Sequence, residues 1–166
     1  MLLGGRYRAS TIWDVTTDVS AARHMSSGRN TDKIPEALLA APATEPAVHR
    51  MRIVSDAFPW DIDVSLARHD VVTVKHILSA IHGMLQQPLE REVWDDETPN
   101  VKRALHKARC ARLGKGAASF KLDSHLKRVD FLCEKTFFMG LRPVGPPDEP
   151  SEWLLLLGPL PKQGRR

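Results

Sequence analysis

The sequence predicts a single α+β domain in which a small, mainly antiparallel sheet is covered by two or three helices. Three stretches carry that prediction. "WDIDV" (60–64) alternates apolar and acidic residues with the period of a strand. "VKHILSAIHGML" (74–85) repeats its apolar residues at helical spacing. "EWLLLL" (152–157) is apolar on both faces, as expected of an interior strand.

Taken in order, Ile12, Trp13 and Val15 of "STIWDV" (10–15) suit a first strand. Residues 16–34 are polar and rich in turn formers, which predicts a loop. "PEALLAA" (35–41) suits a short helix with Pro35 in its first turn, and the prolines of "APATEPAVHR" (41–50) keep that stretch extended. "MRIV" (51–54) and "WDIDV" are strands. In the second, Trp60, Ile62 and Val64 face one way and Asp61 and Asp63 the other. Thr73 is an N-cap. Val74, Ile77, Leu78, Ile81 and Leu85 then form one apolar stripe, with His76 opposite it and His82 on its flank. Leu89, Val93 and Trp94 line a short second helix. A third helix starts after Thr98, with Pro99 at its first position, and ends at Gly114. Its small-residue face, Val101, Ala104, Leu105, Ala108 and Ala111, suits close packing on a sheet. "GKGAASFK" (114–121) is a loop without the GK[ST] ending of a phosphate-binding loop. "KRVDFLC" (127–133) alternates as a strand, with Val129, Phe131 and Cys133 on one face. In the last strand Leu155 and Leu156 are both expected to be buried. Trp13, Trp60, Trp94 and Trp153 each sit in an apolar pattern and are read as core or near-core. The domain spans 10–157, between a flexible start at 1–9 and a flexible basic tail at 158–166.

Composition narrows the function classes. The length of 166 residues fits one domain with a core large enough to fold without staples. No apolar run approaches the roughly 20 residues of a membrane span, and the start "MLLGGRYRAST" lacks the apolar stretch of a secretory signal. A cytoplasmic or nuclear location without membrane association is expected. The two cysteines, Cys110 and Cys133, lie outside any CxxC spacing, and an intracellular setting favours free thiols. The formal charge of +4 is mild but unevenly placed. Residues 86–98 hold five acids and one base, whereas 101–128 hold nine bases and one acid.

Candidate chemistry centres on the third helix. His106 and Cys110 are four residues apart and share a face, and Arg103, Lys107, Arg109 and Arg112 surround the thiol. Such a setting depresses a thiol pKa and suits a nucleophile beside a base. The same bases suit a docking surface for an acidic partner, or contact with phosphates. Asp61 and Asp63 form a carboxylate pair without a histidine or third acid at defined spacing. His76 and His82, six apart on one helix, cannot share a metal, and nothing else has zinc-site spacing, so neither metal nor cofactor is expected. No nucleophile elbow, HExxH, GxGxxG or EF-hand pattern occurs in the chain. The leading expectation is a non-enzymatic interaction module of unknown protein partner. The alternatives are a small enzyme or small-molecule-binding protein using Cys110 and His106, with Asp61 or Asp63, and a nucleic-acid-binding domain using residues 102–128.

Several stretches occur together in a fixed order: "IWDV" (12–15), "PATEP" (42–46), "MRIVSDAFPWDIDV" (51–64), "VVTVKHILSAIHGML" (71–85), "VKRALHKARC" (101–110), "RVDFLCEKTFFMGL" (128–141) and "EWLLLL" (152–157). With them, residues 10–157 resemble an uncharacterised family of mushroom-forming fungi, domain of unknown function 6699. The resemblance implies one α+β domain. It supplies no activity, cofactor or catalytic residue to carry onto this chain.

Overall fold

The structure, a computed structural model, describes residues 11–25, 31–66, 70–114, 126–145 and 152–159. The expected arm at 1–9, the loop beyond Gly114 and the tail after Pro159 lie outside the described residues. Among the described residues, seven strands and four α-helices follow one another as β1 (Thr11–Ile12), β2 (Arg23–Met25), β3 (Thr31–Lys33), α1 (Glu36–Leu39), β4 (Arg50–Val54), β5 (Ile62–Ser65), α2 (Val74–Leu85), α3 (Arg91–Asp96), α4 (Pro99–Leu113), β6 (Phe137–Val144) and β7 (Glu152–Gly158). Two 3₁₀ turns among the described residues, Val19–Ala21 and Arg128–Leu132, belong to the same mixed α+β domain.

The strands make two sheets where the sequence suggested one. Strands β1-β2-β3 form a small antiparallel sheet, and β5-β4-β7-β6 form the main one. In the main sheet β4–β5 and β6–β7 are antiparallel and the central β4–β7 pair is parallel. The chain after β1 ties the sheets together: Val15 N donates to Thr136 O at 2.9 Å and Phe138 N to Trp13 O at 2.9 Å. The segment expected to be a loop, 16–34, contains a 3₁₀ turn, β2 and all of β3. Its polar residues gave no alternating pattern because no residue of β2 or β3 is fully buried.

The α2 stripe packs into the core. Val74, Ile77, Leu78, Ile81 and Leu85 are all buried, in one cluster with Met51, Ile53, Trp153 and Leu155 from the inner face of the main sheet. Each such side chain contributes on the order of 1.5–3 kcal/mol by leaving water. The helix starts where Thr73 accepts from His76 N at 3.4 Å, and Thr73 N donates back to His76 Nδ1 at 3.2 Å. His76 thus fills the place a glutamate usually takes in a reciprocal cap. His82 packs its ring 6.3 Å from Trp13. Trp13 and Trp153 are buried, and Trp60 and Trp94 are half-buried.

Three expectations are corrected. Residues 128–132 form a 3₁₀ helix, not a strand. Asp130 Oδ2 accepts from Lys127 N at 2.9 Å, and this local bond closes a turn in place of a ladder. The longest strand, β6, follows it and was hidden by Gly140 and Pro143. Gly140 adopts φ 114 beside a bulge at Met139, and Pro143 is tolerated because β6 is outermost in the sheet. Finally, β7 is interior in the sheet but buried on one face only: Trp153 and Leu155 point into the core, while Leu154 and Leu156 are half-buried on the other face.

That outer face is laid out in rows. Asp61 and Asp63 point outward as the alternation predicts, and cations neutralise both. Arg52 Nε donates to Asp61 Oδ2 at 3.1 Å, and Arg50 lies 3.6 Å from Asp63. Arg52 also lies 3.4 Å from Glu152. The two faces of β7 therefore differ in their tolerance. Leu155, 2% exposed, is expected to lose cooperative folding when replaced by aspartate, because an unpaired buried charge costs several kcal/mol against a typical stability of about 5–15 kcal/mol. Leu156→Asp is expected to remain folded with a lowered melting temperature. Circular dichroism melts of the two variants check the difference.

Candidate functional site

Helix α4 has the ends its sequence calls for. Thr98 accepts from Val101 N at 3.4 Å, Pro99 opens the first turn, and Gly114 ends the helix at φ 62. Its packing departs from expectation. The helix rests on the 3₁₀ helix Arg128–Leu132, not on a sheet, and it fully buries only Leu105 and Arg109. Ala104 and Ala108 are half-buried and Ala111 is exposed.

The fastening between the two helices is ionic. Arg112 Nε donates to Asp130 Oδ1 and its terminal nitrogen to Asp130 Oδ2, each at 2.8 Å. The Asp130 side chain is 1% exposed and that of Arg112 is 14% exposed. The paired geometry satisfies both carboxylate oxygens, as a buried ion pair requires. The far side of the 3₁₀ helix is held by Arg128, whose guanidinium lies 4.9 Å from the Trp60 ring centroid and pairs with Glu90.

Because α4 turns alanines toward Leu132–Lys135, the space between them is not filled. A cavity of about 340 Å³ is lined there by Ala104, Ala108, Leu132, Cys133 and Glu134, with Lys107 on the helix side. A second cavity of about 480 Å³ shares Ala108, Ala111, Cys133 and Glu134 and extends toward Asp14 and Thr136. The two form one groove along the helix. Cys133 stands at their junction with φ 52, in the left-handed region that side chains rarely adopt. Its thiol is pushed above the ordinary cysteine value, first by burial and then by the Glu134 and Asp130 carboxylates. Both cysteines are free.

The residues singled out in the sequence fall in different places. Arg103 and Lys107 are exposed on α4: Arg103 Nε reaches the Pro99 carbonyl at 3.4 Å and Lys107 lies 3.5 Å from Glu134. Arg109, expected to project outward with them, is 1% exposed and lies in the interior one turn from Leu105. Arg112 is held by Asp130. The outward basic face is therefore narrower than the sequence suggested, because two of the four bases serve the packing of the helix. His106 turns its ring edge-on to Trp94 at 5.4 Å, and Cys110 is half-buried. Trp94 lines a further cavity of about 370 Å³ with Pro88, Leu89, Arg91 and Lys127. The carboxylates of Asp61 and Asp63 lie on the main sheet, paired with Arg52 and Arg50. Among the described residues no group of three or more His, Cys, Asp or Glu is placed to hold a metal ion, and no helix is long and apolar enough to cross a membrane. The sequence reading missed Leu132, Glu134 and the junction role of Cys133. The strand assigned to 127–133 had turned Cys133 inward, and the one available signal was the Asp130–Lys127 spacing of a turn.

Two outcomes follow from this geometry. Asp130→Ala is expected to cost about 3–5 kcal/mol, since it leaves Arg112 half-buried without its carboxylate; a lowered urea midpoint at unchanged slope checks it. In a Cys110→Ser background, Cys133 is expected to react with a thiol reagent more slowly at pH 7 than a cysteine in a short peptide. A raised pKa leaves less thiolate at neutral pH, so its rate should climb only toward alkaline pH.

The model of a family described as "Family of unknown function (DUF6699)" matches residues 11–151. No curated protein and no solved structure matches the chain. The match runs from β1 through the whole α2–α4 region to the threshold of β7, and the chain belongs to the DUF6699 family of unknown function.

Proposed function

We propose that the chain is a non-catalytic interaction module of the cytoplasm or nucleus, which docks an acidic protein segment along α4. The observation that carries this reading is the groove between α4 and Leu132–Lys135. Its floor is made of alanines and Leu132, and Lys107 and Lys135 stand on its walls. Arg103 lies one turn before Lys107 on the same side of the helix and extends the basic rim. An apolar floor with a cationic border fits a partner segment that carries small apolar residues between acids. The Lys107–Glu134 pair crosses the groove with both side chains more than four-fifths exposed, so it offers little resistance to an incoming carboxylate.

The chemistry of the groove thiol supports docking over catalysis at that place. Cys133, the cysteine in the groove, is shifted toward the neutral thiol, the opposite of what a nucleophile needs. His106 stands edge-on to Trp94 at 5.4 Å and outside the groove lining.

The test uses three proteins: the native chain, a double variant Arg103→Glu with Lys107→Glu, and Cys110→Ser. The double variant is expected to melt like the native chain, because exposed charges contribute within about 0.5 kcal/mol, and a melt of Cys110→Ser checks that this variant is folded. The double variant should lose capture of acidic proteins from cell extract, most clearly at low salt. Cys110→Ser should retain it. If Cys110→Ser instead abolishes a measurable activity while the double variant still captures its partner, the docking reading fails in favour of a thiol enzyme. Salt-sensitive retention on nucleic acid that the double variant loses would point to phosphate contact instead.

A further inference from the structure

The outer face of the main sheet is complementary to itself. Across the strands one row reads Asp61, Val54, Leu154, Arg142: Val54 pairs with Leu154, Leu154 with Arg142, and the β4–β5 register carried one residue beyond Ile53 and Ile62 sets Asp61 opposite Val54. The next row reads Asp63, Arg52, Glu152, Val144. The strand order is β5-β4-β7-β6, so the middle of each row falls between β4 and β7. A two-fold axis parallel to the strands above that line lays β6 of one copy over β5 of the other. The first row then meets itself reversed: Asp61 faces Arg142, and Val54 faces Leu154. In the second row Arg52 faces Glu152, while Asp63 stays at the rim beside its own Arg50.

We propose that this face is the interface of a symmetric dimer of this chain, separate from the α4 groove. The face is open. Asp61, Asp63, Arg52 and Arg142 are exposed, as are the apolar Met139 at 53% and Val144 at 38%. Arg142 makes no ion pair among the described residues. Asp61 uses only Oδ2 for Arg52, and its Oδ1 accepts no hydrogen bond among the described residues. The Arg142 guanidinium and Asp61 Oδ1 stand at opposite ends of one row, where a two-fold brings them together twice. The apolar middle, Val54, Leu154 and Leu156, supplies the water-excluding centre that a two-sheet packing needs. Four strands by five residues give a footprint of about 19 by 17 Å before side-chain relief. That is small against the roughly 800 Å² per partner of a stable interface, so the dimer should form and dissociate with concentration.

Sedimentation velocity of the full chain at low salt, from about 1 to 100 μM, tests this on the scale set by such an interface. The native chain should pass from monomer to dimer. Arg142→Glu sets like charges opposite Asp61 and should stay monomeric, and Asp61→Arg should do the same by facing Arg142. An equimolar mixture of the two variants should dimerise again. In the mixed pair Asp61 of one copy faces Arg142 of the other, and the introduced glutamate faces the introduced arginine. A native chain that stays monomeric throughout overturns the proposal, as does a dimer that survives Arg142→Glu or a mixture that stays monomeric while both variants melt like the native chain. If Asp61→Arg itself lowers the melting temperature, the exposed Arg142→Glu decides alone: loss of the dimer sustains the interface and its persistence overturns it.

Discussion

Burial of the α2 stripe against the inner face of the main sheet is the constraint on which everything else rests. Ile77, Leu78, Ile81 and Leu85 share one cluster with Met51, Ile53, Trp153 and Leu155. The segments involved are far apart in the chain, and β7 enters between β4 and β6 only after α2, α3 and α4 have been made. A parallel β4–β7 pair needs such a crossover. Helix α2 is therefore the cover of the sheet, and the stretch from α2 to α4 is part of the connection that lets its two halves meet.

One-sided burial has consequences for the other side. The main sheet presents charged and apolar residues outward in ordered rows. Arg50 and Arg52 answer Asp63, Asp61 and Glu152 across strands, which removes the like-charge repulsion that neighbouring carboxylates would otherwise exert. These pairs are exposed and contribute little to stability. Their effect is to fix the pattern of charge on that face.

The second unit, α4 on its 3₁₀ helix, depends on a different kind of contact. Its alanines leave room where larger residues would have filled the space, and the Arg112–Asp130 pair holds the two helices at that separation. A buried pair of this sort is poor at adding stability but good at selecting one arrangement. The cost is a charge in the interior, which the paired geometry offsets. Arg109 belongs to the same packing and not to the rim, so the basic character of the helix is divided between holding the groove and bordering it.

The sequence by itself determined the elements whose signals are local. The α2 stripe with its Thr73 cap, the α4 limits at Thr98 and Gly114, the alternation of Asp61 and Asp63 against Ile62 and Val64, and the apolar β7 were all legible, because caps, period and burial agree within a few residues of one another. Tertiary structure alone decided the rest. Residues 128–132 carry an alternating pattern, yet Asp130 takes its partners from Lys127 and from Arg112 on another helix, and a turn results. Gly140 and Pro143 disguise β6 until its place at the sheet edge is known. Nothing local marks Arg109 as buried, Leu156 as facing outward, or Arg142 as standing in a row with Asp61. Those facts depend on which elements pack together, and a residue's neighbours across a sheet or between helices are set by contacts between segments distant in the chain.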